Sequence, residues 1–274
     1  MPDTLTTTAA LSQITPLAQK YLESLPHGRT EGRQLYRGPD GKVIGDWFGL
    51  GLASAFQPIV EAGSRQVVGH EAFLRSASPD DQGLSPWTLF SSAADDDRVI
   101  ALDRLARTVH LLNSIVGGNQ HPLFLNVHGR LLAAVADDHG RAFRRVVNAL
   151  DQDAQQIVIE TPVDASHQPD LLTFVLRNYR NNGFKVAVNI ESIDQWRQLA
   201  HGVWPHYIKV DARKLGTGLA LLEHVHTLTQ LSEDARVVLT HVETPLDIPA
   251  DLPVLLQGYA IAHPSRGVEG GLIV

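Results

Sequence analysis

The sequence predicts a (β/α)8 barrel, and three observations predict it. Eight short apolar runs, each stopping at a polar residue, recur between residues 55 and 259. They alternate with stretches of helical periodicity, the order that yields a mostly parallel sheet covered by helices. The length of 274 residues suits one barrel of about 250 residues plus a short extension better than two ordinary domains.

Composition sets the bounds on function. Hydrophobic residues make up 43% of the chain and charged ones 19%, enough to bury a sizeable core and without the signature of disorder. The absence of cysteine excludes disulfides, thiolate zinc sites and cysteine nucleophiles. A net charge of −7 argues against DNA or a membrane surface as partner, since both are captured by a basic field. The first residues lack a basic start followed by an apolar segment, and no apolar stretch reaches spanning length, so a cytoplasmic protein is expected.

Taken in order, the elements begin with a helix over 15–25. Thr15 is its N-cap and Pro16 its first residue, and Leu17, Tyr21, Leu22 and Leu25 follow at helical spacing. Two apolar runs around Gly38-Pro39-Asp40-Gly41 read as a β-hairpin. Residues 1–50 are therefore expected to be an extension and 51–274 the barrel, with Gly49-Leu50-Gly51 as the linker. The apolar face of the extension either covers the barrel or docks a partner or second copy, and both readings stand at this point.

The eight strands are expected at 55–61, 67–75, 123–128, 156–162, 185–191, 207–211, 237–243 and 254–259. Only Ala62-Gly63-Ser64-Arg65 separates the first two, too little chain for a parallel crossover, so the first strand should run antiparallel. Leu102, Leu105, Val109 and Leu112 mark one covering helix. Leu172, Val175, Leu176 and Tyr179 mark another, stopped at Asn182-Gly183.

Barrels of this class place their chemistry at the carboxyl ends of the strands. The polar residues there are Glu71, Asn126, Glu160, Asn189, Lys209, Glu243 and Gln257, joined by Gln57 from the reversed strand. Carboxylates, carboxamides and one lysine form a constellation for metal and phosphate. A Schiff base on Lys209 is the competing enzymatic reading, with an ion-paired lysine as its plain alternative. The 13 histidines are scattered, and His224 and His226 sit two apart on a helix, where they share no face.

Glu71-Ala72-Phe73-Leu74-Arg75, following Phe56-Gln57-Pro58-Ile59-Val60, resembles the signature of the EAL phosphodiesterases, with Phe73 in place of the usual Leu. The resemblance continues through Leu125-Asn126-Val127, Val158-Ile159-Glu160-Thr161, Tyr207-Ile208-Lys209-Val210-Asp211, Val242-Glu243-Thr244, Gln257-Gly258-Tyr259 and His263-Pro264. It implies an EAL-type barrel whose active members use two Mg or Mn ions to hydrolyse cyclic-di-GMP. Glu71, Asn126 and Glu160 match three metal ligands, enough for a single Mg or Mn ion. The family's acidic pair and the glycine-containing loop after it are replaced by Val188-Asn189-Ile190-Glu191-Ser192. Asn189 offers only a neutral carbonyl and Ile190 nothing, with Glu191 the one candidate substitute.

The resemblance therefore implies an inactive cyclic-di-GMP receptor that requires no cofactor. Its ligand positions fall on Gln57, Glu71, Leu74, Arg75, Asp103, Glu243, Gln257 and Pro264. Glu71, Glu160 and Glu243 leave negative charge at the mouth, which Lys209 offsets in part. Two alternatives remain open: a residual phosphodiesterase, and a regulator that binds only a protein effector through residues 189–205 or the first helix. The family also pairs into homodimers, so a homodimer is a further expectation.

Overall fold

The computed structural model describes residues 14–78, 89–90, 95–134, 140–232, 234–268 and 272, so the first thirteen residues of the expected extension lie outside the described residues. Helix α1 (Pro16–Glu23) starts as its sequence dictates, with the Thr15 hydroxyl accepting the Ala18 N–H at 3.3 Å. The same hydroxyl donates to the Leu150 carbonyl at 3.0 Å, which anchors the helix to the barrel. Ala18, Leu22 and Leu25 join the main core, so this face of the extension covers the barrel.

Strands β1 (Leu35–Arg37) and β2 (Val43–Trp47) form the expected hairpin. β2 then pairs antiparallel with β3 (Leu50–Glu61), placing Gly45 opposite Leu52. The linker expectation for Gly49-Leu50-Gly51 is therefore corrected. Gly49, at φ 97°, makes a tight turn, and Leu50 and Gly51 already belong to β3. Turn and strand are joined by ladder hydrogen bonds, whereas a linker would leave those backbone groups to water.

β3 is followed by β4 (Val67–Ser76), β5 (Leu123–Asn126), β6 (Ile157–Thr161), β7 (Lys185–Ile190), β8 (Tyr207–Asp211), β9 (Arg236–Thr240) and β10 (Val254–Leu256). These eight close into a barrel: β3 pairs antiparallel with both β4 and β10, and every other neighbour is parallel. Helices α2 (Asp96–Val116), α3 (Gly129–Ala134), α4 (Arg141–Ala149), α5 (Pro169–Asn181), α6 (Ile193–Leu199) and α7 (Gly218–Leu231) connect or flank the strands. Leu102, Val109 and Leu112 of α2, and Leu172, Val175 and Tyr179 of α5, are buried as their spacing predicts.

Period-two alternation sorts each strand between helices and lumen. Ile59, Phe124, Val158, Ala187, Tyr207, Val238 and Leu255 pack together as a cluster separate from the larger core. Gly69 is part of this layer for a steric reason, because a Cβ there would stand 2.8 Å from the Phe124 ring. Two residues further toward the rim on each strand, the inward positions turn polar. An apolar plug thus floors the mouth. Among the described residues, no helix is long and apolar enough to cross a membrane.

Candidate functional site

The polar layer is a connected network. Lys209 donates from Nζ to Glu71 Oε2 at 2.5 Å and to Glu160 Oε2 at 2.6 Å. Glu71 also accepts from Asn126 Nδ2 at 2.7 Å and from Gln257 Nε2 at 2.8 Å. Glu160 Oε1 accepts from Asn189 Nδ2 at 2.8 Å, and the same amide donates to the Thr161 carbonyl at 2.8 Å. Lys209 is 1% exposed, which makes a buried ammonium the central cation of the network.

Burial alone would neutralise each of these groups, so their charges depend on one another. Burial pushes the Glu71 carboxyl up, but Lys209, helped by Asn126 and Gln257, holds it below its ordinary value. Burial and then Glu71 push Glu160 up to about 7, against the pull of Lys209. Burial opposes the Lys209 charge, and Glu160 and Glu71 outweigh it and raise its pKa. A Schiff-base lysine needs a depressed pKa to be a free amine. The doubly paired, raised Lys209 is the ion-paired lysine instead.

Two cavities meet at Glu71 and Phe73. One, of about 250 Å3, is lined by Gln57, Arg75, Glu243, Gln257, Tyr259 and Pro264 among others. The other, of about 750 Å3, reaches Leu74, Asp103, His128 and Arg130. Gln57 is buried, with Nε2 donating to the Ala262 carbonyl at 2.8 Å. Arg75 is exposed at the rim, where Nη1 donates to the Leu74 carbonyl and the guanidinium lies 5.5 Å from the Phe73 ring centroid.

Asp103 is 2% exposed, accepts the His128 N–H at 3.0 Å, and pairs with buried Arg107 at 2.6 Å. Leu74 packs with Leu52, Leu102 and Leu105. Glu243 lies three residues beyond the end of β9, half exposed, and pairs with Arg213 at 3.1 Å. The inward residue of β9 is instead Thr240, whose hydroxyl donates to the Val210 carbonyl at 3.2 Å. Sequence reading missed Thr240 by following the apolar run past its end; the two-residue step from Val238 is the signal that finds it. Ile190 is 2% exposed and packs in the main core. Glu191 binds His167 at 3.2 Å and Lys214 at 4.0 Å, away from the network.

The EAL domain family model matches residues 50–264. This chain belongs to the EAL domain family. No curated protein matches the EAL domain described here. Among solved structures it is similar to Klebsiella pneumoniae BlrP1 in a calcium and cyclic-di-GMP complex, at 22% identity and TM-score 0.64, covering 81% of this chain and 57% of that one. It is also similar to a standalone EAL protein from Vibrio cholerae in its c-di-GMP bound form, at 18% identity and TM-score 0.63, covering 81% and 95%. Bacillus subtilis YkuI with c-di-GMP and calcium gives 22% identity and TM-score 0.60, covering 80% and 56%. At these identities the likeness concerns the fold.

Whether this EAL domain's own residues fit divalent cations is a question of donors. Mg and Mn require anionic or carbonyl oxygen with open lone pairs. All four carboxylate oxygens of Glu71 and Glu160 accept a protein N–H, and Asn126 and Asn189 point amide nitrogen inward. Among the described residues no group of three His, Cys, Asp or Glu could hold a metal ion. The arrangement does not fit a two-ion cluster. One ion on Glu71, Asn126 and Glu160 requires the Asn126 amide to turn over and Lys209 to withdraw.

Proposed function

We propose that this EAL domain is a cyclic-di-GMP receptor that binds the dinucleotide at the carboxyl rim without hydrolysing it. The observation that carries this reading is the ammonium of Lys209, seated between Glu71 and Glu160 with the Asn189 amide alongside. Charge neutralisation in the site is thereby supplied from within the chain. Hydrolysis in the family depends on metal cations that turn a bound water into a nucleophile, and an ammonium already paired with both glutamates and two amides cannot do that.

Binding has separate support. The paired cavities meeting at Glu71 and Phe73 suit an extended ligand with two nucleotide halves. Arg75 offers a charge-assisted bond to a phosphate, and Gln57 and Gln257 give amides for phosphate or base on the same side. Asp103 and His128 face the half lying over the larger cavity. Tyr259, 53% exposed and 4.5 Å from the His263 ring, offers a stacking face at the rim.

Calorimetry with cyclic-di-GMP, with and without Mg or Mn, followed by chromatography of the incubated ligand, tests both halves. Saturable binding with the ligand recovered intact is expected. Rapid appearance of linear pGpG would make the protein a residual phosphodiesterase, and the absence of any binding heat would remove the receptor.

A further inference from the structure

We propose that the opposite, amino-terminal pole of the barrel carries a second ligand site, one for a nucleoside polyphosphate. A cavity of about 680 Å3 opens there between α6, α7 and the starts of β7, β8 and β9, within the range of about 300–1,000 Å3 that small-molecule sites occupy. Its walls bring together Arg180, Lys185, Arg197, His201, His206 and Arg236. Asp234 is the sole acid among the described residues that line it. In a chain of net charge −7, this local excess of cations runs against the overall composition.

Several of these groups are already placed. Arg236 pairs with Glu61 at 2.7 Å and Arg197 with Asp194 at 2.6 Å. Arg180 donates to the Trp204 carbonyl. His206 accepts the Val186 N–H on Nδ1 at 3.1 Å, which puts its own proton on Nε2 and makes that nitrogen a donor. Burial, then the charges of Arg180 and Lys185, hold this imidazole below its ordinary pKa. The Lys185 backbone belongs to the β6–β7 ladder, and its side chain makes no hydrogen bond or ion pair with any described residue.

Gathering like charges around a concave surface costs stability unless an anion relieves it. The amino-terminal face of such a barrel ordinarily serves stability, and a partnerless lysine beside Arg180 and His206 does not. A multiply charged phosphate chain matches these three donors. Trp204, 61% exposed on the same wall, offers a flat face to a purine. Phosphates toward Arg180, Lys185 and His206 with a base on Trp204 would engage the cavity's free donors and its aromatic face together.

The full chain is titrated with GTP, ATP and inorganic tripolyphosphate at low ionic strength, followed by tryptophan fluorescence and calorimetry. Both nucleotides are expected to quench fluorescence and to bind at least fivefold tighter than tripolyphosphate. Lys185→Gln, partnerless and so neutral for folding, should weaken all three by about tenfold. Trp204→Ala should weaken the nucleotides alone, with circular dichroism and thermal midpoint unchanged in both variants. Saturating cyclic-di-GMP should leave GTP binding intact. The proposal is overturned by no nucleotide binding, by binding that Lys185→Gln leaves undiminished, by equal affinity for tripolyphosphate, or by displacement of GTP with cyclic-di-GMP.

Discussion

Lys209 shows how one side chain can hold a site together. Glu71 and Glu160 each lie within 2.6 Å of its ammonium, in a layer floored by apolar side chains. Removing one member of such a buried set leaves uncompensated charge, which costs about 3–5 kcal/mol. Lys209→Met should therefore lose that much stability at pH 8 in urea unfolding. The loss should shrink at pH 5, where one of the two carboxylates takes up a proton. An equal loss at both pH values would show that Lys209 contributes packing alone. At this scale the sequence disclosed which residues reach the rim, because strand periodicity orients side chains. It did not disclose that Lys209 would bridge both acids, because a pairing across three strands has no local signature.

At the level of elements, β3 is held by contacts from both sides. Its Ser54 hydroxyl lies 2.7 Å from His110 Nδ1 on α2 and accepts Asn113 Nδ2 at 3.2 Å. Asn113 in turn clamps the backbone of Val43 on β2, accepting its N–H at 2.7 Å and donating to its carbonyl at 2.8 Å. Burial, and then the charge of Arg75, lower the His110 pKa from the ordinary 6.5 to about 3. The folded state thus refuses a proton that the unfolded chain accepts, and stability is lost as pH falls from 6.5 toward 3. His110→Gln, which keeps a polar partner for Ser54, should reduce the stability lost between pH 6.5 and pH 4 by about 3 kcal/mol. Matching pH profiles for wild type and variant would contradict this. β3 also explains a boundary error: its run reads as a strand from residue 55, yet pairing with β2 extends it back to Leu50. Residues 50–52 are strand through β2 and 52–54 through β4, partners distant in sequence that composition alone could not mark.

Across the whole molecule, the extension and the barrel form one continuous sheet. The order runs from β1 and β2 through β3 into the closed ring, and Ala18, Leu22, Leu25 and Val43 are buried in the main core. Deleting residues 1–49 would expose the outer edge of β3 and strip those side chains from the core. Such an edge invites association, and the lost burial weakens the fold. The shortened chain should melt about 10 °C lower and associate on size-exclusion chromatography. An unchanged midpoint and elution volume would return the extension to the status of an appendage.

The sequence by itself determined the eight strands, the reversal of the first and the polar rim. Each of these rests on short-range pattern: alternation within a strand, four residues too few for a crossover, a residue type at a strand end. Only the tertiary structure decided that Lys209 would occupy the space between the glutamates, that Thr240 and not Glu243 completes the layer, and that basic side chains from α5, α6, β7 and β9 would surround one cavity. Those relations join residues far apart in the chain, and barrel closure is what sets their distances.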